Sequence, residues 1–183
     1  KASATAGGGA PGTLLASKLR GNLFLSQGFD VKVSEVHGMS QRGGSVVTYV
    51  RWGDRVASPV IEKGEADILV AFELLEAARW AACLRKGGTL IANTQQILPM
   101  PVITGAATYP AELADNLGQV CPGAILIDAL TPAEQAGSPR AVNVVLMGVL
   151  SRVLDLPEDA WQQALARSIK PGLLAMNQAA FEK

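Results

Sequence analysis

Residues 30–50 of this chain read DVKVSEVHGMSQRGGSVVTYV, and they decide how the fold is predicted. Two runs rich in β-branched residues, 30–34 and 45–52, predict strands. Between them lies a polar segment with three glycines, an arginine and the only histidine of the chain. A hydrophobic core does not need such a segment. A binding surface does, because glycine lets backbone N–H groups approach a ligand and arginine offers a planar fork of donors.

The elements around this segment alternate between strands and helices. The hydrophobic spacing predicts helices over 13–27, 73–84, 111–120, 133–136, 141–154, 157–168 and 171–181, and strands over 68–72, 89–92 and 124–127. Alternation of this kind predicts a three-layer α/β/α fold with a mainly parallel sheet. We expect a β-hairpin insertion, formed by 45–52 and 55–60 around a Gly53-Asp54 turn. The small polar residues of 1–6 predict a poor buried strand, and the length of 183 residues predicts one domain spanning 1–183.

The composition excludes several classes of function. Sixteen basic and sixteen acidic residues cancel, so no positive bias favours nucleic acid as a partner. One histidine and two distant cysteines, Cys83 and Cys121, do not supply a tetrahedral metal site or the ligands of an iron–sulfur cluster. We interpret the cysteines as buried thiols. No apolar run has the length of a membrane span and no signal peptide is evident, so we expect a cytoplasmic protein with no membrane partner.

A glycine-rich turn precedes the first predicted helix. Residues 7–12 read GGGAPG, and Gly9, Gly12 and Thr13 form a possible phosphate-binding turn, because free N–H groups at a helix N-terminus attract anions. The spacing matches neither the dinucleotide fingerprint nor the P-loop. A plain strand-to-helix turn is the alternative.

The polar segment after the first predicted strand is a more specific candidate. An unperturbed histidine titrates near neutrality, so His37 suits acid–base work; the alternative is an imidazole that orders the loop or contacts a partner. Arg42 suits a carboxylate or phosphate ligand, or a structural ion pair. Ser40, Gln41, Gly43 and Gly44 add hydroxyl, amide and backbone donors.

Two further pairs of polar residues lie on predicted helices. Glu73 and Glu76 occupy a first helical turn, where negative charge complements the helix dipole, so we favour a structural role over acid–base chemistry. Arg140 and Asn143 begin a nearly all-apolar helix, where a buried asparagine is costly unless it is hydrogen-bonded. We expect Asn143 to bond internally, with a contact to another subunit as the alternative.

Several of these segments, taken in order, resemble one family. They are 33–45 (VSEVHGMSQRGGS), 64–67 (GEAD), Phe72-Glu73 with 75–77, 141–143 (AVN), Lys170-Pro171 and Asn177. Together they resemble the gamma-type domain of 2-oxoacid:ferredoxin oxidoreductases, and within it the beta subunit of the indolepyruvate enzymes.

The resemblance implies a subunit of a complex that oxidatively decarboxylates a 2-oxoacid, such as indolepyruvate or another aryl pyruvate, to an acyl-coenzyme A. It implies that thiamine diphosphate and iron–sulfur clusters belong to a larger partner subunit, that ferredoxin is an indirect partner and that coenzyme A is a co-substrate. Carried over, Arg42, Gly43 and Gly44 shape the coenzyme A side of the site, with Ser40 and Gln41 flanking it. The family's GxGGQG turn is altered, because Ala10 and Pro11 stand where Gly and Gln are expected.

Three functional hypotheses follow. The first is a non-redox subunit of a thiamine-dependent 2-oxoacid oxidoreductase, inactive by itself. The second is a stand-alone nucleotide-binding module that uses the turn before Thr13. The third is a pure assembly subunit whose polar loop fills an interface.

Overall fold

The computed structural model describes residues 1–7, 10–37 and 45–183, and the side chains of all of these except Ala10, Pro11 and His37. The described strands form one six-stranded sheet in the order β2-β3-β1-β4-β5-β6. Only β3 runs against the others, since β1 pairs with β4, β4 with β5 and β5 with β6 in parallel. The strands are β1 (Ala2–Gly7), β2 (Asp30–His37), β3 (Val46–Gly53), β4 (Ala66–Ala71), β5 (Leu84–Asn93) and β6 (Ile125–Ile127).

Helices cover both faces of the sheet, which confirms the predicted three-layer α/β fold. One apolar cluster joins α1, α6, α7 and α8 to one face, and a second joins α2 and α4 to the other. None of the described helices is long and apolar enough to cross a membrane. The helices are α1 (Ala10–Ser26), α2 (Leu74–Trp80), α3 (Met100–Ile103), α4 (Leu113–Val120), α5 (Leu130–Gln135), α6 (Val142–Val153), α7 (Glu158–Ser168) and α8 (Pro171–Phe181).

Strand β1 shows that the expectation of a poor buried strand was wrong. It is buried along its whole length between β3 and β4. Its alanines pack with α2, while the hydroxyls of Ser3 and Thr5 accept hydrogen bonds from the Arg20 guanidinium of α1, the first at 2.5 Å. Arg20 is 0% exposed, and burial lowers its pKa to about 9. The polar residues of β1 are therefore satisfied internally, as buried polar groups require.

The prediction that β3 forms a hairpin with residues 55–60 was also wrong. No strand forms over 55–60; β3 instead pairs antiparallel with β2, so the hairpin spans the polar segment itself. The backbone N–H of Val56 donates to the Asp30 carboxylate at 2.8 Å, which fixes this segment as an irregular connection beside the start of β2.

Two predicted boundaries moved for local reasons. The helix predicted over 73–84 ends at Trp80 with one 3₁₀ turn, Ala81–Cys83, and β5 then runs through Gly87-Gly88 instead of being preceded by them. Helix α5 begins at Leu130, before the predicted start at Ala133. The Asp128 carboxylate accepts from the backbone N–H groups of Leu130 and Thr131.

Helices α6 and α8 cross at very close range. A Cβ built on Gly148 of α6 would lie 2.1 Å from the carbonyl oxygen of Phe181 in α8. Glycine at this position therefore sets the approach of the two helices whose first turns border the site described below.

Candidate functional site

The two sequence-predicted segments start from the same edge of the sheet. Val46 of β3 pairs with both Gly7 of β1 and His37 of β2, so the ends of β1 and β2 lie on either side of the start of β3, at one edge of the sheet. Strands β4, β5 and β6 point the same way as β1 and end at the same edge. In open α/β sheets, ligands bind outside the carboxyl ends of the parallel strands. The topology therefore brings the flanks of both segments to the usual ligand-binding edge.

Most of the predicted site residues lie outside the described residues. These are Ser40, Gln41, Arg42, Gly43 and Gly44 in the polar segment and Gly9 in the turn. For His37 the structure describes only the backbone, at the end of β2. Gly12 and Thr13 are described in the first turns of α1, where Thr13 is buried. The binding roles of all these residues stay predictions.

The glycines of the turn have a packing reason of their own. A Cβ on Gly7 would lie 2.8 Å from the Phe72 ring, and a Cβ on Gly12 would lie 3.1 Å from the same ring. The backbone N–H of Phe72 donates to Ala6 at 2.9 Å, which holds the ring beside the turn. Close packing at the end of β4 thus accounts for two of the glycines without a phosphate.

A polar network anchors the residue that follows the polar segment. Ser45 Oγ donates to the Glu76 carboxylate and accepts from Trp80 Nε1 at 3.2 Å. Arg79 Nη1 donates to the other Glu76 oxygen at 3.1 Å. These contacts support the structural role favoured for Glu76, and they hold the side chain of Ser45 against α2.

Glu73 is a buried acid at the same edge. It is 3% exposed and caps α2, since its Oε1 accepts from the backbone N–H of Glu76 at 3.0 Å. Its Oε2 has no hydrogen-bond partner among the described residues. Burial raises the pKa of the Glu73 carboxyl, and the nearby Glu76 carboxylate raises it further. Burial likewise raises the pKa of the Tyr109 hydroxyl, with the Glu73 carboxylate adding to the effect.

A cavity of about 720 Å³ lies beside the turn. Sequence reasoning singled out Arg140 and Asn143, and the structure brings both together with Gly12. It adds Asn177, which the sequence marked only through the family resemblance, and residues of α8 that no sequence signal marked. The cavity is lined by Gly12, Leu15, Ser138, Arg140, Ala141, Asn143, Leu173, Met176 and Asn177.

No group of three or more His, Cys, Asp or Glu residues comes together in the described ranges. Cys83 is buried and Cys121 is half-buried, and both are free thiols whose pKa is raised by burial.

Known proteins similar to this chain share one activity class. The indolepyruvate oxidoreductase subunit IorB of Thermococcus kodakarensis is 39% identical over 181 residues, covering 96% of this chain and 90% of that protein. The keto/oxoacid ferredoxin oxidoreductase gamma subunit of Geobacter sulfurreducens has the same fold, with a TM-score of 0.73 at 19% identity over 99% of this chain and 94% of that one.

A larger solved structure contains the same fold as one part. The 2-oxoglutarate:ferredoxin oxidoreductase of Magnetococcus marinus, with 2-oxoglutarate, coenzyme A and succinyl-CoA bound, matches 99% of this chain and 29% of its own, with a TM-score of 0.73 at 18% identity. The resemblance inferred from the sequence motifs is confirmed. The family model of pyruvate ferredoxin/flavodoxin oxidoreductases matches residues 4–183, so the chain belongs to this family.

Proposed function

We propose that this chain is the non-redox subunit of a thiamine-diphosphate-dependent 2-oxoacid:ferredoxin oxidoreductase, acting on indolepyruvate or another aryl pyruvate. A larger partner subunit carries the thiamine diphosphate and the iron–sulfur clusters, and ferredoxin takes up the electrons. The complex releases carbon dioxide and transfers the acyl group to coenzyme A. This chain completes the coenzyme A side of the site and holds the assembly.

The shared sheet edge carries this proposal. The polar segment 38–44 follows the end of β2, which is separated from the end of β1 by β3 alone, and Ser45 is held to α2 through Glu76. A segment anchored at both ends at this edge suits an anionic ligand, because its sequence contains Arg42 and Gly43-Gly44; arginine offers a planar guanidinium, and glycine lets a ligand approach the backbone. The IorB relatives support the substrate class, since they are subunits of indolepyruvate oxidoreductases.

The first test measures what the chain adds to catalysis. Indolepyruvate-dependent reduction of ferredoxin is followed with the large subunit alone and after this chain is added. We expect activity dependent on coenzyme A only in the mixture. Equal rates in both samples would contradict the proposal.

The second test separates ligand binding from assembly. Arg42→Ala is compared with Arg167→Ala, a control on an exposed position of α7. A role in coenzyme A binding predicts a raised KM for coenzyme A with an intact complex by size-exclusion chromatography. A pure assembly role predicts dissociation of the complex instead, and the control should change neither.

The nucleotide-binding alternative is tested on the isolated chain. Calorimetry with NAD, FAD and coenzyme A would favour a stand-alone module if NAD or FAD bound tightly. The packing of Gly7 and Gly12 against Phe72 gives the turn a structural explanation, so we expect no such binding.

A further inference from the structure

A second cavity lies where the ends of α6 and α8 meet the start of α7, and we call it the Trp161 cavity. It shares no lining residue with the 720 Å³ cavity, which lies at the opposite ends of α6 and α8. Its volume is about 200 Å³. Sites for drug-sized ligands have volumes of about 300–1,000 Å³, so a ligand of the Trp161 cavity must be smaller than these.

A buried indole N–H in the wall of this cavity lacks a hydrogen-bond partner. Trp161 is 1% exposed, and its Nε1 has no partner among the described residues. Buried polar groups are normally hydrogen-bonded, and the indole nitrogen can only donate. The neighbouring Ser151 hydroxyl donates to the Gly148 carbonyl at 2.6 Å, so its oxygen can still accept. The wall therefore calls for a ligand that carries an acceptor.

Charged side chains of both signs line the same cavity. Arg152, Glu158 and Glu182 are exposed, and none of them belongs to an ion pair between described residues. The helix ends add the same two signs, because the C-terminal ends of α6 and α8 carry partial negative charge and the N-terminal end of α7 carries partial positive charge. One ligand can thus place an anionic group on the guanidinium and a cationic group on the carboxylates.

The rest of the wall is apolar. Leu156 supplies an aliphatic side chain, and the Phe181 ring centroid lies 5.6 Å from that of Trp161. Aromatic rings attract an ammonium group through their faces, in addition to packing on aliphatic carbon. The small volume leaves room for a short aliphatic side chain beside the charged groups.

We propose that the Trp161 cavity binds a free α-amino acid with a short aliphatic side chain. The carboxylate of the ligand contacts the Arg152 guanidinium and accepts from Trp161 Nε1, while its ammonium contacts Glu158 and Glu182. The aliphatic part lies on Leu156. A zwitterion is favoured over a simple anion or cation because each of its ends meets the opposite charge. No residue of the segment 38–44 takes part, so this site is independent of the proposed function.

Isothermal titration calorimetry on the full chain tests this assignment with three matched probes. L-Valine carries both charges, 3-methylbutanoate is the same molecule without the ammonium, and isobutylamine is the same molecule without the carboxylate. We expect saturable binding of L-valine and binding of the other two that is weaker by about tenfold or more, because each loses its charge-assisted contacts. Absence of L-valine binding, or equal affinity for either analogue, would overturn the proposal.

Matched variants locate the binding. Trp161→Phe keeps an aromatic ring in the wall but removes the N–H, so it should weaken L-valine binding by about tenfold. Arg152→Gln and Glu182→Gln each remove one charge at an exposed position and should also weaken binding by about tenfold. Arg167→Ala, on an exposed position of α7 outside the cavity, is the control and should bind as wild type does. Variants of the cavity that melt at the wild-type temperature and keep wild-type affinity would refute the site.

Discussion

Replacement of Gly148 by alanine tests the close approach of α6 and α8. The added Cβ would lie 2.1 Å from the Phe181 carbonyl oxygen and 3.0 Å from its carbon. Carbon–oxygen contacts are comfortable only at about 3.3–3.6 Å, so the backbone of α8 must shift by roughly 1 Å. Overpacking of a core costs about 1–3 kcal/mol, and a clash with backbone lies at the upper end of this range.

The net effect is smaller than the clash alone. Alanine is favoured over glycine in a helix by about 1 kcal/mol, which leaves a loss of about 2 kcal/mol in the free energy of unfolding. For a chain of this size that corresponds to a fall in Tm of about 4–8 °C.

Urea unfolding monitored by tryptophan fluorescence measures this change. The Trp161 ring is buried and its centroid lies 5.6 Å from that of Phe181, so it reports on the affected region. The control is Gly118→Ala in α4, where a Cβ would meet nothing within 4 Å and where stability should rise by up to about 1 kcal/mol. If Gly148→Ala gained stability as the control does, the inferred helix contact would be refuted.

Three other predictions concern the buried polar groups. Ser45→Ala removes the hydroxyl between Glu76 and Trp80 and should lower the free energy of unfolding by about 1–3 kcal/mol. The control Ser58→Ala, at an exposed position, should leave the urea midpoint unchanged. Equal effects of the two substitutions would contradict the stabilising role of the Ser45 contacts. Burial raises the pKa of Glu73 above 4.5 in the folded state, so its contribution to stability is greatest below pH 4.5 and is lost as pH rises through the raised value. The stability of Glu73→Gln relative to wild type should therefore increase between about pH 4 and about pH 7, and a pH-independent difference in urea midpoints would contradict this reasoning. Arg20→Met leaves the hydroxyls of Ser3 and Thr5 without their donor and should destabilise the fold by about 1–3 kcal/mol. The triple variant R20M/S3A/T5V should recover stability, because it leaves no hydroxyl unpaired. Wild-type stability of Arg20→Met alone in thermal melts would show that Arg20 does not stabilise β1.

The sequence by itself predicted the elements whose signal is local. The apolar spacing of α6 and α8 indicated both helices, and the β-branched runs on either side of 38–44 indicated β2 and β3. The motif of the polar segment indicated the family, which the comparisons confirmed. These features depend on neighbours in the chain, so periodicity and composition report them directly.

Only the tertiary structure decided the rest. Residues 2–7 form a central strand because Arg20 satisfies its hydroxyls and two strands pair with it, neither of which is encoded within those residues. Strand β3 pairs with β2 and β1 instead of with 55–60. Gly12, Asn143 and Asn177 line one cavity although they are far apart in the chain. Such contacts depend on the packing of whole helices and strands against one another, and no local pattern reports that packing.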